Sequence, residues 1–348
     1  MHAATRLGRP EVMRLRRVDC AGPGIIRKRR GKGFTYQWSD GRTVTEPDVL
    51  ARIRALVLPP AWENVWICPW PNGHIQAIGT DAAGRRQYRY HDVWRVQRDR
   101  DKHDRVLVVA QRLPVARELA AEHLALRGYP RERVLAAAFK LLDLGFLRIG
   151  GEEYADENSS YGLATLHREH VTLHRGAIVF DYPAKSGKRQ IHQLVDDDLR
   201  AVVRGLLRRT DHSPELLAYQ ERGQWRDVRS DDVNAYLREV FGVDVTAKDF
   251  RTWHATVLMA VALAVSRGVA NSPSKRKRAV ARAYQEVADY LGNTPAVARA
   301  SYVDPRLIDL YDDGATVLPA LERAAVETDD ESPYLHGTVE RAVLRLLS

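Results

Sequence analysis

The period of the hydrophobic residues changes near residue 100, and this change constrains the fold more than any other feature of the chain. Before it, apolar residues alternate with polar ones in short runs separated by Gly and Pro, which is typical of strands. After it, apolar residues recur every three or four positions, which predicts helices. We therefore expect an α+β protein. A small β-rich N-terminal domain would precede a larger, mainly α-helical domain that carries a small antiparallel sheet.

In the first hundred residues, the pattern predicts short strands and one or two helices. The strand-like runs are residues 34–38, 65–68, 74–78 and 87–91. Pro-Asn-Gly at 71–73 is a strong hairpin signal between two of them. A short helix is expected over 47–57, where two prolines follow and stop it. The basic run 27–30, followed by Gly-Lys-Gly, is interpreted as a turn.

Beyond residue 100, long amphipathic segments predict a helical body. Helices are expected at about 113–126, 131–147, 196–208, 214–219, 230–240, 248–268, 273–291 and 295–301. A small sheet is expected from 171–173, 177–181 and 190–194, with 185–188 at a hairpin tip. The last thirty residues contain an acidic stretch and then a short amphipathic helix. Ser-Pro and Thr-Pro pairs before 214–219 and 295–301 are typical helix starts.

These signals divide the chain, whose 348 residues are enough for two domains with separate cores. The predicted parts are a flexible lead-in (1–25), a β-rich domain (26–100), a helical domain (101–315) and a C-terminal tail with a short helix (316–348). No apolar stretch reaches the about 18 residues of a membrane span, and residues 1–23 lack the apolar segment of a secretory signal. Cys20 and Cys68 are expected to be free thiols in a reducing cytosol.

The net charge of +9 is concentrated in the first hundred residues. They hold 19 Lys and Arg against 9 Asp and Glu, whereas the remaining 248 residues hold 35 against 36. A localised basic excess is typical of a nucleic-acid-binding surface. A general enrichment in arginine would also give basic surfaces, but it does not explain the asymmetry.

Two arginines, Arg148 and Arg251, interrupt strongly apolar segments of the predicted helices. A guanidinium in such a segment is costly unless it is paired. A guanidinium also stays charged and donates to two oxygens at once, which suits a phosphodiester whose transition state gains negative charge. The residues thus indicate a phosphate site, with a buried structural ion pair as the competing interpretation.

Both arginines and three other polar residues occur in distinctive strings. The strings are Phe146-Leu147-Arg148-Ile149-Gly150, Lys185-Ser186-Gly187-Lys188-Arg189, Lys248-Asp249-Phe250-Arg251-Thr252, and Asn293-Thr294-Pro295 with Tyr302 downstream. In order and context they resemble the active site of the type IB DNA topoisomerases, in the small poxvirus-like and bacterial form. The resemblance runs from about residue 25 to residue 312, and it implies the catalytic fold that this family shares with the tyrosine recombinases.

The resemblance implies a set of catalytic roles. Tyr302 would attack the DNA backbone and form a 3′-phosphotyrosine, Arg148 and Arg251 would stabilise the transition state, and Lys185 would protonate the leaving 5′-oxygen. A phenol has an ordinary pKa of about 10, so nearby cations must favour its charged form. The strand would then rotate and be resealed, which relaxes supercoiled duplex DNA without ATP, a required metal or any cofactor.

Asn293 departs from the family pattern, since many members have histidine at this position. An asparagine amide can donate a hydrogen bond to a phosphate oxygen, but it is neutral at every pH and cannot transfer a proton. We therefore expect Asn293 to stabilise charge only.

Further residues are expected to contact DNA because they lie in strings that resemble the family. They are Arg85, Arg86, Tyr88, Tyr90, Tyr154, Asn158, Lys188 and Lys248. Lys188 is the second candidate for the proton donor, and Lys248 is a candidate for proton transfer or phosphate binding. The expected protein is a monomer that closes as a clamp around duplex DNA, in the cytoplasm at the nucleoid and away from membranes. Nothing in the sequence predicts which DNA sites are cleaved.

Two other functions stay open at this point. A tyrosine recombinase or integrase shares the arginine, lysine and tyrosine chemistry, but the β-rich N-terminal domain and the lysine at 248 argue against it. A non-catalytic DNA-binding protein predicts no covalent adduct. No metal site is expected from His167, His170 and His174, because HExxH is absent and successive side chains of a strand point to opposite faces.

Overall fold

Strands dominate the N-terminal part of the chain, and helices dominate the rest. The computed structural model describes residues 14–145, 147–152, 155, 159–184, 187–268, 270–327 and 337–348. The chain divides into two units, residues 1–102 and 103–348. Within the described residues, no helix has the length and apolar character needed to cross a bilayer.

The first unit is built on a five-stranded antiparallel sheet with the order β2-β1-β3-β4-β5. Its strands are β1 Ile25–Arg30, β2 Gly33–Trp38, β3 Glu63–Ile67, β4 Ile75–Thr80 and β5 Arg86–Tyr90. Helix α1, Pro47–Ala55, lies between β2 and β3 in the chain. The core of the unit contains buried Ile25, Ile53 and Ile67. The predicted strands and the short helix are thus present.

The interpretation of residues 27–30 as a turn is wrong. These residues belong to β1, which pairs with β2 as far as Arg30 and Gly33. The turn lies one step later, where Gly31 has a positive φ of 56° that favours glycine. The basic residues therefore line a strand that leads to the hairpin tip, and Arg29 and Arg30 are exposed.

Helix α2 spans Asp92–Leu124, so it begins far before the predicted residue 113. Its early turns are rich in Arg and Asp, and Pro114 lies inside it, so neither part has the composition of a regular amphipathic helix. Its buried face includes His103, Val106 and Leu113. The boundary between the two units, after residue 102, falls within this helix.

The second unit is mainly helical. Its further helices are α3 Arg131–Asp143, α4 Asp197–Leu207, α5 Ser230–Phe241, α6 Ala247–Ser266, α7 Pro273–Leu291, α8 Pro295–Ser301, α9 Arg306–Asp312, α10 Leu318–Glu327 and α11 Thr338–Leu347. Two small antiparallel sheets accompany them. One contains β6 Val171–His174, β7 Ala177–Pro183 and β8 Arg189–Leu194, and the other contains β9 Ala218–Glu221 and β10 Gln224–Asp227.

Two helix predictions in this unit need correction. Helix α3 ends at Asp143 rather than near 147, because Gly145 adopts a positive φ of 81°. Arg148 consequently lies in an irregular segment after the helix. The helix predicted at 214–219 is also wrong, since Ala218 begins β9, which turns through Arg222 and Gly223 into β10.

The C-terminal helix α11 belongs to the core of the second unit. Val339 and Val343 are fully buried in the same apolar cluster as α6 and α7. Glu340 is also buried, and its carboxylate accepts hydrogen bonds from Arg117 of α2 and from the indole Nε1 of Trp253 in α6 at 3.0 Å. A buried carboxylate needs such donors, so this network joins α2, α6 and α11.

Candidate active site

The C-terminal end of α7 brings two of the predicted residues together. Arg148 Nη2 donates to the carbonyl oxygens of Leu291 and Gly292, both at 3.1 Å. Arg251 Nη2 donates to the same Leu291 oxygen at 2.7 Å. Gly292 has a left-handed φ of 61° and ends the helix, which leaves these carbonyls without intrahelical partners. Cations are also favoured at this negative end of the helix dipole.

Arg251 is held in a buried and electrostatically unfavourable position. It lies in the second turn of α6 with only 8% of its surface exposed. Burial lowers the pKa of Arg251, and the charge of Arg148 lowers this pKa further, whereas Tyr302 raises it. A buried cation with a second, partly buried cation beside it forms a site that an anion would stabilise.

Tyr302 is positioned at two points by α6. The Arg251 Cζ lies 5.5 Å from the centroid of the Tyr302 ring. Further along α6, Thr256 Oγ1 donates to the Thr252 carbonyl at 2.8 Å, accepts from the Asp304 amide at 3.3 Å and lies 3.4 Å from the Tyr302 carbonyl oxygen. The tyrosine is the C-terminal cap of the short helix α8, which begins with Thr294 as its N-cap. The side chain of Tyr302 is only partly buried.

Asn293 completes this group and carries an unsatisfied donor. Its Oδ1 accepts a hydrogen bond from Arg148 Nη2 at 3.0 Å. Its Nδ2 is buried and has no acceptor among the described residues. An unpaired buried donor costs about 1–3 kcal/mol, so a ligand oxygen at this point would relieve the penalty. The amide therefore has a free donor beside the two guanidinium groups.

A small pocket opens onto both arginines. Its lining includes Arg148, Arg251, Lys188, Gln190, Tyr182 and Tyr290. Burial raises the pKa values of both Tyr182 and Tyr290 to about 12, so their hydroxyls stay protonated at neutral pH. Both side chains line the pocket beside the arginines, and the Tyr290 hydroxyl donates to the Leu144 carbonyl at 3.3 Å.

Two predicted lysines lie near this group of residues. Lys188 is exposed at the β7–β8 hairpin, where its carbonyl accepts from the Ala184 amide at 2.8 Å. Lys248 is exposed in the first turn of α6, three residues before Arg251. Lys185, Tyr154 and Asn158 lie outside the described residues.

In the first unit, three of the predicted DNA-binding residues share one face of β5. Arg86, Tyr88 and Tyr90 occupy alternate positions, and the two tyrosine rings stack with centroids 5.9 Å apart. The Arg86 Cζ lies 5.6 Å from the centroid of the Tyr88 ring. This exposed face combines positive charge with aromatic surface, both of which suit contact with a nucleic acid.

Arg85 is used differently from its neighbours on β5. Its guanidinium lies 2.8 Å from Asp81 in the turn before the strand. Hydrogen bonds from the Arg85 side chain and backbone hold the pKa of Asp81 at about 2. Arg85 therefore stabilises the β4–β5 turn, although its side chain is exposed.

The histidine cluster has a geometry that the strand pattern did not predict. A 3-10 turn at Arg168–His170 brings the rings of His167 and His170 into a parallel stack 5.2 Å apart, with Glu169 nearby. Among the described residues, these three side chains place possible metal-ligand atoms within 4.8 Å of one another. However, His170 Nδ1 accepts from the His167 amide at 3.1 Å, which places the proton of the neutral ring on Nε2. This hydrogen bond ties the His170 ring to the backbone of the 3-10 turn and stabilises the turn.

Sequence reasoning missed several residues of the site. Tyr182, Gln190 and Tyr290 line the pocket, and Thr256 anchors the tyrosine segment. Thr256 is a polar residue at the buried face of a helix, four positions after Thr252, and that position is the signal that would have drawn attention to it. The pocket residues come from three separate segments, and no local pattern connects them.

Comparisons with known proteins define the class. A family model described as eukaryotic DNA topoisomerase I, catalytic core, matches residues 91–313. A second, described as bacterial DNA topoisomerase IB, N-terminal domain, matches residues 33–81. Both matches name enzymes that act on DNA topology, and together they cover both units of the chain.

Individual relatives agree with this class. A DNA topoisomerase 1B of Acanthamoeba polyphaga mimivirus is 31% identical over 294 residues, which is 83% of this chain and 87% of the relative. A DNA topoisomerase 1B of vaccinia virus (strain Copenhagen) is 24% identical over 239 residues, which is 68% of this chain and 72% of the relative. The chain therefore belongs to the type IB DNA topoisomerase family.

Proposed function

We propose that this protein relaxes supercoiled duplex DNA by cutting one strand, allowing it to rotate, and resealing it. Membership of the type IB topoisomerase family supports this reaction. The observation that carries the proposal is the arrangement at the end of α7, where Arg148 and Arg251 share the Leu291 carbonyl and Arg251 also faces Tyr302.

The proposed chemistry uses Tyr302 as the nucleophile. Its oxygen would bond to the phosphorus of a DNA phosphodiester, and the bond from phosphorus to the 5′-oxygen would break. One phosphorus–oxygen bond forms as another breaks, so the number of phosphate ester bonds is unchanged. The tyrosine loses its proton in this step, and the departing 5′-oxygen gains one. Because the bond energy stays in the phosphotyrosine, resealing by the 5′-hydroxyl needs no ATP.

The arginines and Asn293 would stabilise the transition state. As the phosphate enters, Arg148 and Arg251 would donate to its oxygens in place of the α7 carbonyls, and the free Nδ2 of Asn293 would donate to a third oxygen. Fixed donors in a dry site need little reorganisation when the charge develops. The charge of the phosphate would also offset the repulsion between the two guanidinium groups.

The remaining roles rest on the family resemblance. Lys185 would protonate the 5′-oxygen, with Lys188 as the second candidate, and Lys248 would assist in phosphate binding. We further propose the catalytic fold shared with tyrosine recombinases, and a monomer that closes around the duplex. The support for a clamp is that the basic excess lies in the first unit while the candidate catalytic residues lie in the second. Nucleoid association would follow from the DNA substrate.

Plasmid relaxation tests the proposal directly. Negatively and positively supercoiled plasmids should both be relaxed in EDTA without ATP, and denaturation with SDS during the reaction should trap protein covalently on nicked DNA. A tyrosine recombinase would instead join two defined sites, and a non-catalytic binder would leave no adduct. A strict magnesium requirement or the absence of an adduct would overturn the proposal.

A further inference from the structure

The N-terminal half of α7 carries a dense cationic cluster that the proposed chemistry does not use. Residues 271–282 contain five cations and no acidic residue. These cations, which we call the α7 basic cluster, are Lys275, Arg276, Lys277, Arg278 and Arg282. The whole of residues 101–348 is close to neutral, so the cluster is a local exception that an average over the unit conceals.

Most of the cluster faces solvent without a carboxylate partner. Lys275, Lys277 and Arg278 are exposed. Lys275 donates to the Asn271 side chain at 3.0 Å, and among the described residues neither Lys277 nor Arg278 pairs with an acid. The other two cations do have partners, since Arg276 lies 3.6 Å from Asp312 and Arg282 lies 2.9 Å from Glu286.

Helix stability does not explain this placement. The N-terminal end of a helix carries partial positive charge, so cations in the first turns are unfavourable. The first turn of α7 contains no acidic residue to compensate. Lys275 and Arg278, three positions apart, and Arg278 and Arg282, four positions apart, also repel each other on the helix surface. A polyanionic partner would remove both penalties.

The same helix links the cluster to the candidate active site. Leu291, at the C-terminal end of α7, provides the carbonyl that holds Arg148 and Arg251. Lys277 precedes it by 14 residues on one continuous helix, which corresponds to about 21 Å at about 1.5 Å per residue. Duplex DNA rises about 3.4 Å per base pair, so this separation equals about six base pairs.

We propose that α7 runs along the substrate duplex and that the α7 basic cluster binds its phosphates about six base pairs from the cleaved bond. This inference rests on the proposed function and adds a second contact region within the catalytic unit. Phosphate contacts of this kind supply affinity and orientation and carry no base specificity. The cluster should therefore increase the affinity for the duplex on one side of the cleaved bond, without changing the rate of the reaction at Tyr302.

The test compares a charge-neutralised variant on short and long DNA. Lys275→Gln, Lys277→Gln and Arg278→Gln are combined, because glutamine keeps helix propensity while removing charge. Arg127→Gln, Arg204→Gln and Arg208→Gln, three exposed arginines elsewhere in the same unit, form the matched control. Binding is titrated at several salt concentrations on duplexes of about 10 and about 40 base pairs, so that only the longer one reaches the cluster.

The expected result is a length-dependent change in salt dependence. On the long duplex, the slope of log K against log salt should become shallower by about 0.9 for each lost contact, up to about 2.7 for three. On the short duplex, the slope should be unchanged, and the control should match wild type on both. The rate of adduct formation at saturating protein should stay within about twofold of wild type.

Two outcomes would overturn the inference. Unchanged slopes on the long duplex would remove the cluster from the DNA interface, and equal changes on both duplexes would mean that it acts only through net charge. Failure of the proposed function is distinguishable, because the wild-type protein would then form no SDS-trapped adduct on any DNA. The binding titrations remain informative in that case, since they do not depend on cleavage.

Discussion

Arginine serves two different purposes in the two units. On β5 of the first unit, Arg86 is exposed beside the Tyr88 ring, and water screens its charge. In the second unit, Arg251 is buried and donates to the end of α7, and both burial and the neighbouring Arg148 lower its pKa. A single contact of an exposed cation contributes little free energy, whereas a buried cation destabilises the folded protein unless an anion binds beside it. The exposed arginines should therefore determine the affinity for DNA, and the buried arginine should determine the rate of cleavage.

The largest expected effect comes from changing the proposed nucleophile, Tyr302. This change should abolish catalysis and leave the affinity for DNA unchanged. Tyr302→Phe should abolish the SDS-trapped adduct and plasmid relaxation, because it removes the hydroxyl that is proposed to attack the phosphorus. DNA binding measured by titration should stay near wild type. Tyr290→Phe is the control, since its hydroxyl is buried and protonated, and it should still form the adduct. Relaxation by Tyr302→Phe would mean that another tyrosine attacks.

The two arginines at the end of α7 should give the next largest effect. Arg251→Ala and Arg148→Ala should each slow adduct formation by at least about 10²–10³, the size of losing one transition-state donor. Arg251→Lys should recover only part of the rate, since an ammonium cannot donate as a planar fork. Single-turnover cleavage at saturating protein measures this directly. A defect confined to affinity would contradict the division between buried and exposed arginines.

The proposed proton donor, Lys185, can be distinguished from the arginines by changing the leaving group of the DNA substrate. Lys185→Ala should be slow on ordinary DNA and near normal on DNA with a 5′-bridging sulfur, because a thiolate leaves without a proton. Lys188→Ala should have mild effects on both substrates. The ratio of cleavage rates on the two substrates is the readout. Equal defects on both would leave Lys185 as a phosphate contact.

Asn293 should have a smaller effect than either arginine. Asn293→Ala removes one neutral donor, so the loss in cleavage rate should be well below that of Arg148→Ala. Because an amide does not titrate, the pH dependence of the variant should parallel that of the wild type. Cleavage rates measured across pH would check this, and a changed profile would show that Asn293 influences a titrating group.

Substitution on the exposed face of β5 should give the smallest effect, and this effect should be on DNA binding alone. Arg86→Ala should make the salt slope of duplex binding shallower by about 0.9, the contribution of one phosphate contact. Its cleavage rate at saturating protein should be unchanged. Arg85→Ala is the matched control, and it should act mainly on the β4–β5 turn because Arg85 pairs with Asp81. A rate defect in Arg86→Ala would place β5 in the chemistry.

Local signals explain which parts of this fold were predictable. Thr294 and Pro295 form a cap that depends only on adjacent residues, so the start of α8 was predicted correctly. Strands β2 to β5 of the first sheet follow from alternation and turn residues in the same way, whereas β1 was missed because its run of basic residues resembles a turn. The end of α3 was mispredicted because the apolar pattern continues through Leu147, while the backbone at Gly145 breaks the helix.

Contacts between distant segments explain what sequence reasoning missed. Thr256 lies on α6, but its importance depends on Tyr302 and Asp304, which are more than 40 positions later. His167 and His170 were expected on opposite faces, and a 3-10 turn stacks them instead. The α7 basic cluster was hidden because its charge was averaged over 248 residues. The first two cases depend on the three-dimensional positions of side chains. The third depends on a local charge that differs from the average over the unit.

The shared carbonyl of Leu291 has a consequence for the catalytic cycle. It accepts hydrogen bonds from the Nη2 atoms of Arg148 and Arg251, so both guanidinium groups already have an acceptor in the protein without DNA. Entry of a phosphate is then an exchange of one acceptor for another, and departure of the resealed strand reverses the exchange. In the proposed cycle, the end of α7 would thus serve as a temporary acceptor for both guanidinium groups, which would limit ground-state affinity for DNA and favour dissociation once the backbone is intact.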